Sequence, residues 1–141
     1  MSKEDVEIVR RAVNHLSETG EPDWDLYDPD LVWTTRPDGP AQYTYRGLDG
    51  LRRGSESLRA VWTEVRGEIL EVVEPGDAVV SVIRWHLRAH SGVELDVVEG
   101  WVTWVRDGRI ARIEQHREQG GGPRSRAREL GAAQGPERFV T

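Results

Sequence analysis

Side chains that could together perform acid–base chemistry lie on both sides of a Ser-Gly pair at positions 91–92: Arg84, His86, Glu99 and Trp101. The pair predicts a two-residue hairpin loop, and cross-strand partners then have numbers that sum to about 183. This register sets Arg84 opposite Glu99. His86 and Trp101 then project from the same side of the sheet as that pair. Either His86 or Glu99 could serve as general base, while Arg84 holds a developing oxyanion or a substrate carbonyl.

Aromatic residues could form the wall of a site for a flat or polycyclic substrate: Trp33, Tyr43, Trp62 and Trp101. Large rings supply apolar contact area and a preferred stacking geometry. For each ring taken singly, packing in the core is the more ordinary role. The aromatic wall is therefore a hypothesis about the four residues as a group.

The same register puts an apolar set on the opposite side of the sheet: Ile83, Trp85, Val98, Val102 and Trp104. Two interpretations stay open. In the first, this apolar side is the core beneath the helices, and Arg84–Glu99 is a surface ion pair that contributes little. In the second, the mixed side lines a ligand pocket and the apolar side is a dimer interface.

The elements that position these residues are three consecutive antiparallel strands between Ala78 and Glu118. Their turns are expected at positions 91–92 and at Asp107-Gly108, because an Asp-Gly pair between alternating apolar runs is a strong hairpin signal. Further strands are expected over 31–35 and 68–74, with a short extended piece over 42–45.

Helical periodicity marks three segments before these strands. The first begins with a capping-box pattern at Ser2 and stops at Thr19-Gly20. A short second helix is expected within 22–27, and a third over 48–66, where Gly54 weakens the middle. The order of elements predicts an α+β domain whose helices cover one face of a curved antiparallel sheet.

The composition excludes several classes of protein. The 141 residues carry a formal charge of −6, which disfavours a nucleic-acid partner, and the absence of cysteine removes disulfides, zinc–thiolate sites and thiol nucleophiles. No metal site is expected, because the histidines lack carboxylates at ligand spacing. A charged N-terminus without an apolar core and the lack of a membrane-length apolar run predict a cytoplasmic protein. Residues 1–118 are expected to form the domain and 119–141 a Gly/Arg-rich mobile tail.

Four runs along the chain resemble the SnoaL-like branch of the nuclear transport factor 2-like superfamily: Val9–Val13, Gly20-Glu21, Asp28–Trp33 and Arg106–Glu114. The resemblance spans residues 4–118. It implies a cone-shaped, curved antiparallel sheet packed against three N-terminal helices, with an apolar pocket between them. It also implies a homodimer formed through the outer face of the sheet. Fold does not fix activity, so function has to be argued from the site.

Two chemistries of these relatives can be compared with the sequence. The ketosteroid isomerase pattern of a carboxylate base, a tyrosine and a protonated acid falls on Thr35, Ala12 and about Trp101, so the resemblance excludes that activity. The limonene epoxide hydrolase pattern, an Arg-x-Asp pair with a second acid on the last strand, falls on 84–86 and on Gln115. Its arginine is kept while both acids are replaced, yet the match still implies that Arg84 and His86 point into the pocket.

The polyketide cyclase pattern places an acid or base near the end of the last strand, where His116 and Glu118 occur, so the resemblance makes His116 the next catalytic candidate. The sequence as a whole predicts a small enzyme that performs acid–base chemistry without a cofactor. Its substrate would be a hydrophobic, oxygenated small molecule, and the reaction a cyclisation, isomerisation or hydrolysis. The alternative is a non-catalytic module that binds a small molecule or dimerises.

Overall fold

The computed structural model describes residues 2–35, 43–74 and 76–117. Its helical elements are α1 (Ser2–Thr19), a 3-10 turn (Trp24–Leu26) and α2 (Gly47–Val61). Its strands are β1 (Tyr27–Thr35), β2 (Tyr43–Arg46), β3 (Trp62–Val73), β4 (Ala78–Ala89), β5 (Glu94–Arg106) and β6 (Arg109–Arg117). Glu118 and the predicted tail over 119–141 lie outside these residues.

One six-stranded sheet carries the fold, in the order β2-β1-β6-β5-β4-β3. Neighbouring strands are antiparallel except β1 and β6, which run parallel. The prediction of a wholly antiparallel sheet is therefore wrong. The hairpin signals in the sequence report only pairs that are adjacent along the chain, whereas a parallel pair joins strands separated by a long crossover.

The helices cover one side of the sheet, which we call the inner side; the other is the outer side. Helix α1 buries its stripe of Val9, Ala12 and Val13 and lies against β3, and α2 buries Leu51 and lies against β1. Burial of one apolar stripe per helix is what holds such short helices in place. The domain is thus α+β, as predicted, with its core between helices and sheet.

The prediction of three helices is not confirmed, because the described residues contain two α-helices and a single 3-10 turn. The third predicted helix also ends early, at Val61, and the residues from Trp62 onward form β3. Aromatic and β-branched side chains follow that boundary, and they favour a strand. Pairing of Trp62 with Ala89 and Val65 with Leu87 on β4 completes the change from helix to strand.

Two clusters of buried residues mark the two sides of the sheet. The inner cluster joins helix residues to rings from several strands, among them Trp33, Trp85 and Trp101. A smaller outer cluster contains Val80 and Val102. Within the described residues, no helix is both long and apolar enough to cross a membrane.

Candidate functional site

The β4–β5 hairpin decides which side chains share a face. Its loop contains three residues, since Ala89 pairs with Val93 and the Ala89 N–H donates to the Val93 carbonyl at 2.8 Å. Gly92 takes a positive φ of 95°, a conformation that glycine adopts without strain. The predicted two-residue loop is therefore wrong by one residue. A slip of one residue turns every side chain of β5 to the other face of the sheet relative to β4.

The predicted pairing of Arg84 with Glu99 is wrong as a result. Glu99 pairs with Ile83, and Arg84 pairs with Val98. Because Ile83 lies in the inner cluster, Glu99 shares the inner side, while Arg84 belongs to the outer side. The apolar side of β4 is the core, as the first interpretation had it. Glu99 and Trp101 lie on the same side of the sheet as that core, an arrangement that neither interpretation predicted.

Arg84 and His86 lie among charged neighbours on the outer side. The Arg84 guanidinium is 3.6 Å from the Glu68 carboxylate, and both side chains are more than half exposed. The two ring nitrogens of His86 are each 3.0 Å from a carboxylate, that of Glu94 and that of Asp96. The structure therefore does not bring Arg84 and His86 together with Glu99.

Glu99 and Trp101 form the centre of the inner site. They are two residues apart on β5, so their side chains point to the same face. The Trp101 indole Nε1 donates to Glu99 Oε1 over a long 3.4 Å. The Trp101 ring also contacts that of Trp85, with centroids 5.5 Å apart. Glu99 is partly exposed, so a molecule on the inner side can reach its carboxylate.

Gln115 lies directly opposite Trp101 on the neighbouring strand β6. Its Oε1 accepts a hydrogen bond of 2.9 Å from the indole Nε1 of Trp33. The Trp33 ring packs at a tilt on Tyr45, with centroids 5.0 Å apart. Sequence reasoning noted Gln115 only as the position where an acid is missing. A neutral amide in a place expected to carry an acid was the available signal for a polar site residue.

The remaining aromatic candidates lie at opposite edges of the sheet. Tyr43 is 62% exposed on edge strand β2, where it pairs with Thr35, the β1 partner of Gln115. Trp62 is half-buried at the start of the other edge strand, β3. The structure thus places Trp33 and Trp101 in one cluster on the side of the sheet that carries Glu99, with Tyr43 at the end of the same row, and separates Trp62 from them.

His116 lies on the outer side, where it is buried with Glu114. Their side chains are each 7% exposed, and His116 Nε2 is 3.1 Å from Glu114 Oε1. The second oxygen of Glu114 accepts from Arg112 at 2.9 Å, and the Arg112 guanidinium stacks 4.8 Å above the centre of the Trp104 ring. This outer cluster of Arg112, Glu114 and His116 is distinct from the inner site.

A cavity of about 600 Å³ lies elsewhere, between the start of α1 and the β5–β6 hairpin. Its lining includes Asp5, Asp77 and Trp104, but none of the inner-site residues. Burial raises the pKa of the Asp5 carboxyl, and the charges of Glu4 and Asp77 raise it further. Across the residues that the structure describes, no group of three or more potential ligand side chains is arranged to hold a metal ion.

The inner site combines a proton acceptor with a neutral hydrogen-bond donor. Glu99 supplies a carboxylate, and Gln115 supplies the two N–H groups of its amide. The rings of Trp33, Trp85 and Trp101 surround them with apolar surface. Such a combination can take a proton from a carbon acid while the neighbouring oxygen receives a hydrogen bond.

Comparison with known proteins matches the chain to a family model. The model described as a SnoaL-like domain matches residues 9–113. A comparison with curated proteins gives no match.

Solved structures with the same fold are numerous. A protein of unknown function from Burkholderia pseudomallei, described as NTF2-like, has a TM-score of 0.70 and 21% identity, covering 82% of this chain and 91% of its own. TerC, co-crystallised with polyporic acid, has a TM-score of 0.70 and 20% identity over 82% of this chain and 92% of its own. A putative SnoaL-like polyketide cyclase from Jannaschia has a TM-score of 0.68 and 17% identity over 82% and 86%. At these identities the likeness concerns the fold.

Proposed function

Since this chain belongs to the SnoaL-like domain family, we propose that it is a small-molecule enzyme with Glu99 as its general base. The family includes polyketide cyclases and isomerases. The proposed substrate is hydrophobic and oxygenated, and the chemistry is proton transfer without a cofactor. One observation carries the proposal: a partly exposed carboxylate lies on the inner side of the sheet, against the ring of Trp101.

The proposed reaction begins when the Glu99 carboxylate takes a proton from a carbon of the substrate. A bound hydrophobic substrate would displace water from the Glu99 carboxylate, so that solvent does not compete for this proton. A base within hydrogen-bond reach of the reacting proton typically contributes a factor of about 10² to 10⁴ to the rate. The base lies on a central strand, which gives it a fixed position.

The substrate class follows from the rings beside Glu99. Trp33 and Trp101 make the inner side apolar, and the exposed ring of Tyr43 at the edge of the sheet offers a surface on which an aromatic or polycyclic ligand can pack. That the structurally similar TerC was co-crystallised with a small molecule, polyporic acid, supports a ligand role for the fold. A homodimer through the outer face and a cytoplasmic location stay predictions.

The base role is assigned to Glu99 alone among the four predicted catalytic residues. Arg84 and His86 project among exposed carboxylates on the outer side, and His116 is buried there against Glu114. A substrate that contacts Glu99 on the inner side is separated from all three by the thickness of the sheet. Their catalytic roles would require a second site.

Glu99→Gln tests the proposal, because it keeps the shape of the side chain and removes the base. The reaction to follow is hydrogen exchange of 2-tetralone in D₂O, measured by proton NMR, with 2-indanone and 1-indanone as further carbon acids. We expect the wild-type protein to accelerate exchange, and Glu99→Gln to lower that acceleration about 100-fold. The matched control is Asp96→Asn, a carboxylate of the same strand on the outer side.

Retention of the full rate in Glu99→Gln would contradict the assignment of the base. The absence of acceleration with all three carbon acids would instead favour the second candidate, a non-catalytic binding module. Neutral side chains at Thr35 and Gln115, where relatives carry acids in the patterns compared above, are the observation that favours it. A binding module would take up the same ketones without exchanging their protons.

A further inference from the structure

We infer that Gln115 is the hydrogen-bond donor that binds a carbonyl oxygen of the substrate, and that Trp33 is the positioning residue that orients it. The inference rests on the proposed function of the inner site and sharpens it. It names the substrate class as a neutral ketone or ester with an acidic C–H beside the carbonyl. The argument starts from the contact between the two side chains.

The indole of Trp33 distinguishes the oxygen of the Gln115 amide from its nitrogen. An indole N–H can only donate, so the amide atom 2.9 Å from it is the acceptor, Oε1. The Gln115 Nε2, with its two N–H donors, therefore points away from the indole. Within the described part of the chain, Gln115 has no hydrogen bond from its Nε2 to another side chain.

The Trp33 ring is itself held in a single orientation. It is 6% exposed and packs against Tyr45 on the neighbouring strand. Helix α2 also approaches so closely that a Cβ on Gly54 would collide with the ring. A ring enclosed in this way cannot turn to release Oε1, so the amide keeps its orientation before any ligand arrives. Pre-orientation of a donor is what makes it effective in a site.

Gln115 is a diagonal neighbour of the proposed base in the sheet. Gln115 is partly exposed and opposite Trp101, and Glu99 precedes Trp101 by two residues on the same face. Such diagonal neighbours on adjacent strands are about 7–8 Å apart. A small ketone can span that separation, with its carbonyl oxygen toward Gln115 and its acidic carbon toward Glu99.

The proton-transfer step balances with these two groups. The Glu99 carboxylate removes the proton from the carbon next to the carbonyl and becomes a carboxylic acid. The electron pair of the broken C–H bond forms a C=C bond, and the π pair of the carbonyl moves to its oxygen, which gives an enolate. That oxygen accepts a hydrogen bond from Gln115 Nε2, and return of the proton from Glu99 restores the carboxylate. No oxidant, reductant or other reactant is required.

The amide also excludes a competing substrate class. Opening an epoxide needs an acid that transfers a proton to the leaving oxygen, and a neutral amide donates hydrogen bonds without transferring its protons. Gln115 stands where the epoxide pattern places that acid. A carbonyl oxygen gains negative charge when Glu99 removes the neighbouring proton, and a hydrogen bond is enough to stabilise that charge, so a carbonyl fits the donor that is present.

Binding of two matched probes tests the role of Gln115. The probes are 2-acetylnaphthalene, which has a carbonyl, and 2-isopropenylnaphthalene, a hydrocarbon of nearly the same shape in which a CH₂ group replaces the oxygen; equilibrium dialysis measures both. We expect the wild-type protein to prefer the ketone about fivefold, the value of one neutral hydrogen bond. Gln115→Met should abolish that preference and leave the affinity for the hydrocarbon within about twofold.

Gln115→Glu gives a second reading, since its carboxylate offers acceptors in place of donors and should disfavour the ketone. Either of two results would overturn the inference: a ketone preference that survives in both variants, or a wild-type protein that shows no preference. The unchanged affinity for the hydrocarbon shows that each variant is folded around an intact inner site. Should one variant fail to fold, the other decides.

Trp33→Phe tests the positioning role, because it keeps a ring and removes the indole N–H. We expect it to lower the ketone preference about twofold to threefold and to shift the side-chain amide resonances of Gln115 in the ¹H–¹⁵N spectrum. The control is Trp24→Phe, an indole that is 38% exposed and lies in the 3-10 turn. A Gln115 amide spectrum and a ketone preference unchanged by Trp33→Phe would contradict the role.

The two proposals can fail separately. If Glu99→Gln leaves proton exchange unchanged while Gln115→Met abolishes the ketone preference, the carbonyl site stands and the base is wrong. If Glu99→Gln stops exchange while Gln115→Met keeps the ketone preference, the base stands and the donor is wrong.

Discussion

The two faces of strands β5 and β6 each carry a carboxylate, and the two carboxylates differ in their surroundings. On the outer side, Glu114 is 5% exposed and is held by Arg112 and His116 at about 3 Å. On the inner side, Glu99 is partly exposed and accepts a longer bond from the indole of Trp101. Both belong to the same pair of strands, so the difference comes from the face alone.

This difference indicates which of the two carboxylates can bind a ligand. A carboxylate enclosed between a guanidinium and an imidazole has its charge compensated inside the protein, and disturbing it costs stability. A partly exposed carboxylate on a ring-lined surface can exchange its contacts with those of a substrate. We therefore expect substitutions in the outer cluster to affect folding most and substitutions in the inner site to affect chemistry most.

Glu114→Leu should give the largest effect on stability. It removes the acceptor of the buried His116 and leaves Arg112 without this carboxylate, and a buried polar group left without its partner costs up to about 3 kcal/mol. Urea unfolding measures the change. The control is Glu94→Leu, which removes an exposed carboxylate beside His86, and it should cost less than about 0.5 kcal/mol. Equal effects of the two substitutions would contradict the expectation that the buried cluster contributes more to stability than the exposed pair.

Gly54→Ala should destabilise the inner side by about 1–3 kcal/mol, because the new Cβ collides with the Trp33 ring. Helix propensity alone predicts the opposite sign, a gain of roughly 0.5–1 kcal/mol. Thermal unfolding gives the sign, and Ser57→Ala on an exposed position of α2 is the control. A stabilised Gly54→Ala would show that the ring can move, and with it the amide of Gln115.

Asp28→Asn should give a smaller effect that depends on pH. The backbone N–H of Asp30 and the Arg106 guanidinium hold the pKa of the Asp28 carboxyl below its usual value. A lowered pKa contributes stability above the usual range of carboxyls, which is lost as the pH falls through the lowered pKa. The variant should be less stable than wild type at pH 7 and equal to it at low pH. An equal deficit at both pH values in urea titrations would contradict this.

Asp5→Asn should show the opposite sign and the smallest effect. Burial raises the pKa of this carboxyl, so its ionised form is disfavoured in the folded protein. The variant should be more stable than wild type at pH 7, and the difference should vanish below the usual carboxyl pKa. Loss of stability at pH 7 in the same titrations would show that the Asp5 charge has a favourable partner in the cavity.

Local signals predicted much of the fold. The Asp107-Gly108 turn is present, with positive φ of 53° and 76° at its two residues, as the Asp-Gly pair requires. Helix α1 ends at Thr19 as its periodicity and the following glycine indicated. The family resemblance over residues 4–118 is confirmed by the match over 9–113. These features depend on neighbours in sequence or on long patterns, and both can be read from one chain.

The site was predicted less well than the fold. Glu99, Trp33 and Trp101 come together, while the predicted companions Arg84 and His86 lie on the other side of the sheet. Gln115 was identified only as the position of a missing acid and was not predicted to be a site residue. The Trp33–Gln115 bond joins residues 82 apart in sequence through the parallel β1–β6 pair, which no local signal reported.

The types of side chain that can do chemistry here can be read from the sequence alone, as can the alternation that places them on the two faces of the sheet. The sequence also determined the family, the main strands and the turn at positions 107–108. Which residues share a face is known only from the fold, because the third residue in the loop after Ala89 sets the register of β5 against β4. Because side chains alternate between the two faces with a period of two, one additional loop residue places Glu99 on the face of the tryptophans and not on the face of Arg84.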